Sequence, residues 1–179
     1  LLGIVARIKI KDNNKIPQAI KTIEKINRKK VKVGYFTGDF YDGNGDLTVK
    51  GLAAVHEFGV QIQVTPKMRS FLHHKGLHLK DSTTHITIPE RSFVRTGADQ
   101  SRFAVVQKTE ELIRDAITGN IQVELLYEMI GEEMRAEIRE HAIDLQNPAN
   151  HPWTVENKGS SNPLVATGNM IGAMEVEVK

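Results

Sequence analysis

Seven histidines and no cysteine set the terms of any chemistry this chain could do. Four of the histidines, His73, His74, His78 and His85, crowd into one stretch, and imidazole nitrogens are ready zinc ligands. In an extended stretch His74 and His78 share a strand face, provided Gly76 does not bend it. Two ligands on one face fall short of a zinc set, so these residues are read as exposed hairpin histidines. Glu133, Glu137 and His141 recur at helical i, i+4 spacing, where a solvated, salt-bridged face accounts for them better than a metal. Asp42-Gly43-Asn44-Gly45-Asp46, with Asp39 before it, imitates the start of a calcium loop. The imitation fails, because the glycine and glutamate required at the sixth and twelfth positions are here Leu47 and Ala53. His56-Glu57 lacks the second histidine of a zinc helix, since Val60 stands four residues on. No phosphate-cradling glycine loop or nucleophile elbow occurs. No catalytic residue, metal ligand or cofactor is therefore assigned. A metal-dependent hydrolase built on the histidine-rich stretch is the rival reading from another class, and a stoichiometric transition metal in the purified protein would favour it.

Composition narrows the setting of these residues. The 179 residues are 40% hydrophobic, enough for one domain spanning 1–179 with one core, and such a chain buries roughly 70% of its unfolded surface. Lysine and arginine number 24 against 22 acids, and a net charge of +2 is too balanced to argue for nucleic acid by itself. Without cysteine there is no disulfide framework, which suits cytosolic assembly without excluding secretion. No apolar run approaches a bilayer span, so no membrane partner is expected. Residues 1–6 are too short, and lack the basic flank, for a signal peptide. With Leu rather than Met at position 1, the numbered chain is read as starting inside a longer translated one.

The elements that must position these residues follow from periodicity. Ile4, Ala6, Ile8 and Ile10 alternate with Val5, Arg7 and Lys9 as a first strand with one buried face. Asp12-Asn13-Asn14 is a turn and helix cap, and Ile16, Ala19, Ile20, Ile23 and Ile26 then share one helical face, with Pro17 in the first turn. Residues 31–36 form a second strand. Leu52, Val55 and Phe58 mark a short helix stopped by Gly59. Residues 60–88 alternate in pieces and predict an extended β-hairpin arm, and Pro89 ends its last strand. A helix capped by Asp99 carries Phe103, Val106, Glu110, Ile113 and Ile117, widened by Leu112 and Ala116, up to Thr118-Gly119-Asn120. A second helix from about 121 to 145 is expected to be the longest element, with Ile130, Met134, Ile138 and Ala142 on one side. Residues 146–163 read as a long loop around Trp153, the only tryptophan, and long irregular segments are commonly contact surfaces. After a turn capped by Thr167, residues 173–179 alternate as a final strand. The fold class is α+β, an antiparallel or mixed sheet packed against long helices.

Three segments in this order carry a resemblance. Gly51-Leu52-Ala53-Ala54-Val55-His56-Glu57-Phe58-Gly59, then Ile88-Pro89-Glu90-Arg91-Ser92-Phe93-Val94-Arg95, then Asn162-Pro163-Leu164-Val165-Ala166-Thr167-Gly168 with Met170-Ile171-Gly172-Ala173, resemble the virion morphogenesis proteins of tailed bacteriophages. That family often has proline where Ser92 stands, and the 60–88 excursion is longer than in its shortest members. The resemblance implies a non-enzymatic structural protein of the virion, assembled in the host cytoplasm. Its subunits would form a homo-oligomeric ring, commonly a hexamer, at the neck. The implied partners are the head-tail connector or portal-side proteins and the tail terminator or tail tube, with DNA in the lumen as a further contact. A tail terminator or another tail component is the alternative within the same class. Interface candidates are Phe71, His74 and His78 on the arm, Arg91, Phe93 and Arg95 at its base, and Trp153.

Overall fold

Two long helices packed against each other form the frame of the structure. The computed structural model describes residues 13–41 and 47–179. In chain order its elements are α1 (Ile16–Ile26), β1 (Val31–Gly34), α2 (Val49–Phe58), β2 (Val60–Gln63), α3 (Pro66–His74) and β3 (His85–Ile88). They continue with α4 (Phe93–Thr118), α5 (Val123–Asp144), α6 (Pro152–Lys158), α7 (Asn169–Gly172) and β4 (Glu175–Val178). The protein is α+β, with its strands in two separate antiparallel ribbons, β1 with β4 and β2 with β3. The expected strand at 4–10 and the acidic loop at 42–46 lie outside the described residues.

α4 and α5 meet at Gly119, whose N–H closes α4 on the Ala116 carbonyl, so the break at Thr118-Gly119-Asn120 falls where the sequence puts it. α4, at 26 residues, is longer than α5 at 22, because it starts at Phe93 and not near Asp99. Its buried face runs through Phe93, Gly97, Ser101, Leu112 and Ala116, leaving Phe103 74% exposed. The expected stripe misplaced the upper half of the helix because small residues, not apolar ones, mark a close helix crossing. At Gly97 an added Cβ would stand 3.1 Å from the Ile138 backbone of α5.

α5 spans about 33 Å and connects two apolar clusters where a single core was expected. Leu126 and Ile130 join Leu112 and Ala116 at one end. Ile138 and Ala142 join Phe93, Leu164, Met170, Ile171 and Met174 at the other. Between them the β1–β4 ribbon lies directly on the helix at Gly131. A Cβ there would overlap Val176 and come within 2.9 Å of Val31 Cγ2. The tail strand pairs as its alternation requires, Val31 opposite Val178 and Gly34 opposite Glu175.

α1 forms with Pro17 in its first turn but buries none of its residues. Ile16, Ile20 and Ile23 are exposed, and Ile26 alone packs on a core cluster. Periodicity located the apolar face correctly and said nothing of what it meets.

The 60–88 excursion keeps its paired base, with Val60 opposite Ile88 and Gln63 opposite His85. Its middle is helical where strand pieces were expected. Thr65 Oγ1 accepts from Met68 N at 3.2 Å and Pro66 sits at the first helical position, a start signal that also reads as a strand break. Residues 77–80 are a loop held by Arg69, whose guanidinium donates to the carbonyls of Leu79, Lys80 and Thr83. The 146–163 loop is likewise shorter than read, because Pro152 opens α6 inside it.

Candidate functional site

The first two of the segments that carry the family resemblance meet in one hydrogen-bonded unit. α2 ends at Phe58, and Gly59, at φ 70, turns the chain into β2. A side chain at Gly59 would come within 2.8 Å of Glu90 N, so the returning strand can pass this closely only at glycine. After β3 the chain crosses the end of α2, where the N–H groups of Arg91 and Ser92 donate to the carbonyls of His56 and Glu57. These bonds satisfy carbonyls that a helix C-terminus leaves open.

Glu57 then starts α4. Only 5% exposed, its carboxylate accepts from Val94 N at 2.8 Å and Arg95 N at 3.1 Å. That is the role of an N-cap, supplied from 37 residues away. Ser92, which precedes the helix in left-handed geometry at φ 47, makes no side-chain cap of its own. Arg95 Nε donates to Glu57 Oε1 at 2.8 Å, and Arg95 Nη2 reaches Glu90 Oε1 at 2.6 Å and Ser92 Oγ at 2.9 Å. Its guanidinium also lies 4.9 Å from the centre of the Phe58 ring. The Ser92 hydroxyl and Arg95 hold the Glu90 carboxyl below the usual carboxylate range.

Arg91 is bound quite differently. At 5% exposure it is as buried as Glu57, yet its acceptors are neutral: Pro148 O at 3.1 Å, Asn150 Oδ1 at 3.0 Å and His56 Nδ1 at 2.8 Å. Because arginine only donates, His56 Nδ1 must accept, which fixes the ring in its neutral form with the proton on Nε2. Burial, reinforced by the charges of Arg91 and Lys158, pushes the His56 pKa down to about 4. A histidine so weakly basic is a poor general base at neutral pH.

No family model, curated protein or solved structure matches the chain.

Beside His56 opens a cleft of about 310 Å³ bounded by α2, α6 and residues 163–170. Lys158 of α6 lines it and donates to Asn162 O at 2.6 Å and Pro163 O at 3.4 Å. Burial, with the charge of Arg91 adding, lowers the Lys158 pKa. Asn162 Oδ1 accepts from Leu164 N and Val165 N, both at 2.8 Å, and so shapes the third segment into the opposite wall.

The candidate contact residues divide sharply. Phe71, His74 and His78 are exposed on α3 and the loop after it. Arg95 keeps about half its side chain in solvent. Phe93 is fully buried against Tyr35 and α5, and Arg91 is enclosed, so both are spent inside their own chain. Trp153 is half-buried, and its Nε1 donates to Lys75 O at 2.9 Å, tying the end of α3 to α6. The histidine pair that forms is His73 with His78, Nδ1 to Nδ1 at 2.8 Å, not His74 with His78, because α3 replaces strand alternation with helical spacing. Among the described residues no group of three or more His, Asp or Glu side chains is placed to hold a metal ion, including Glu133, Glu137 and His141. Also among the described residues, no helix is long and apolar enough to cross a membrane.

Sequence reasoning missed Glu57 as the cap of α4 and Arg91 as a buried cation. The usable signal was the pairing of an acid at a helix end with arginines just after a proline-terminated strand.

Proposed function

We propose that this chain is a structural subunit of a tailed-bacteriophage virion, a ring-forming neck or tail-completion protein that joins the head connector to the tail. The observation that carries the reading is the convergence of residues 56–59 and 88–95. Two of the three segments that carry the resemblance meet in one hydrogen-bonded joint at the base of the 60–88 excursion. A joint of this kind makes geometric sense in a ring subunit, because it fixes the angle at which α3, with Phe71 and the exposed histidines, is presented to a neighbour. Portal-side proteins on one side and the tail terminator or tail tube on the other are the partners this reading requires, with DNA passing through the lumen. A tail terminator would use the same joint and differ in its level along the particle axis.

Purified virions test the proposal. Mass spectrometry should find the chain in a few copies per particle, and antibody labelling under negative stain should mark the head-tail junction. Absence from the virion would overturn the assignment, and label at the distal tail would replace it.

A further inference from the structure

The cleft beside His56 is walled by apolar side chains, Leu52, Leu164 and Met170 among them, and by the polar groups of His56, Asn150, Thr154 and Lys158. Among the described residues no aspartate or glutamate lines it. Two positive charges converge on it: Lys158 in the wall and Arg91 directly behind His56 and Asn150. Among the described residues neither has a carboxylate partner, since Arg91 meets two carbonyl-type oxygens and a ring nitrogen and Lys158 meets two backbone carbonyls. The joint beside it shows the contrast, because there a buried carboxylate, Glu57, is matched by Arg95 at 2.8 Å. Arg91 is buried and Lys158 partly so, and a cation taken out of water without a counter-charge is costly. His56 adds a second feature. Its Nδ1 is committed to Arg91, so its free Nε2–H is a fixed donor that makes no hydrogen bond among the described residues.

We infer that the cleft is a binding site for a carboxylate on a short alkyl stem. The carboxylate oxygens would accept from Lys158 Nζ and His56 Nε2–H, with Thr154 beside them, while the stem lies along Leu52, Leu164 and Met170. Charge-assisted hydrogen bonds to a carboxylate are about twice as strong as neutral ones, and each methylene taken out of water adds to the affinity. An apolar wall makes this a carboxylate site in preference to a phosphate site, which would call for polar groups all round. The inference is independent of the ring proposal, because it concerns the isolated chain.

Isothermal titration of the purified protein with acetate, butyrate, hexanoate and inorganic phosphate at constant ionic strength tests it. Affinity should rise about tenfold or more from acetate to hexanoate, exceed that for phosphate, and fall at least tenfold in Lys158→Gln. Lys108→Gln, on α4 and outside the cleft lining, should leave it unchanged. Asn150→Asp is the second variant, and it guards against a Lys158 variant that fails to fold. A carboxylate built beside Arg91 should raise the melting temperature and abolish hexanoate binding. Four results would each overturn the inference: no saturable binding of hexanoate at tens of millimolar, equal affinity for phosphate, binding unaffected by loss of Lys158, or a lowered melting temperature in Asn150→Asp with hexanoate binding intact.

Discussion

The joint between α2 and α4 and the outer face of α1 are both strongly patterned in sequence, and the fold treats them in opposite ways. At the joint, polar and charged groups are buried and matched atom to atom: Glu57 caps one helix, pairs with Arg95, and sits beside an Arg91 held by three acceptors. On α1 an apolar face of Ile16, Ile20 and Ile23 faces outward, between 43% and 66% exposed. Periodicity tells which residues lie together on a face. Whether that face is covered depends on partners that its own sequence does not name.

The largest effect should come from breaking the joint. Glu57→Ala removes the α4 cap, leaves two backbone N–H groups without their acceptor and takes the partner of Arg95 Nε, while Arg95 Nη2 keeps Glu90 and Ser92; it is expected to cost about 3 kcal/mol in urea unfolding. Glu57→Gln, which keeps the shape and one acceptor oxygen, should cost about half as much. A loss below about 1 kcal/mol in the alanine variant would mean that the joint does not hold α4.

Next in size is the pH dependence built into His56. Its folded pKa of about 4 lies below the ordinary value of 6.5, so between those values the unfolded chain binds a proton that the folded chain does not. Stability from this residue is therefore fully present above about pH 6.5, declines as pH falls toward 4, and levels off below. The decline is about 2 kcal/mol after discounting for partial exposure. His56→Asn, which can still accept from Arg91, should flatten that part of the stability curve. An unchanged slope would remove His56 from the account.

Gly131→Ala tests the seat of the β1–β4 ribbon. Alanine favours the helix by about 1 kcal/mol, but its methyl would displace Val176 and Val31, at an overpacking cost of about 1 to 3 kcal/mol. A net loss of about 1 kcal/mol is expected in thermal unfolding, and a gain would mean that the ribbon can lift off the helix at little cost. The smallest effect belongs to the exposed face. Ile20→Ser on α1 should change the stability of the isolated chain by less than about 0.5 kcal/mol, and a large loss would erase the contrast between the two regions.

Much of the fold was legible because local signals carry it. Gly59, Pro89 and Gly119 each mark a stop that the structure keeps, and the alternation of residues 173–179 returns them to a ribbon with β1. α3 was missed because Thr65-Pro66 serves equally as a strand break and a helix start. The beginning of α4 was missed for a deeper reason: its cap is Glu57, distant in sequence, so no nearby residue announces it. The same distance hid the site. Arg91 and Phe93 were visible as positioned residues beside a turn, but their burial depends on α5, α6 and residues 148–150, which come later in the chain.

We propose that this joint serves a ring. Light scattering on the purified chain, beside a variant in which residues 64–84 are replaced by a short turn joining β2 to β3, tests it most directly. The account predicts a closed oligomer for the full chain, about 120 kDa for six copies of a 20.0 kDa subunit, and a folded monomer for the variant. A full chain that stays monomeric at every concentration would contradict the ring. An intact ring in the variant would show that the excursion is not what joins its subunits.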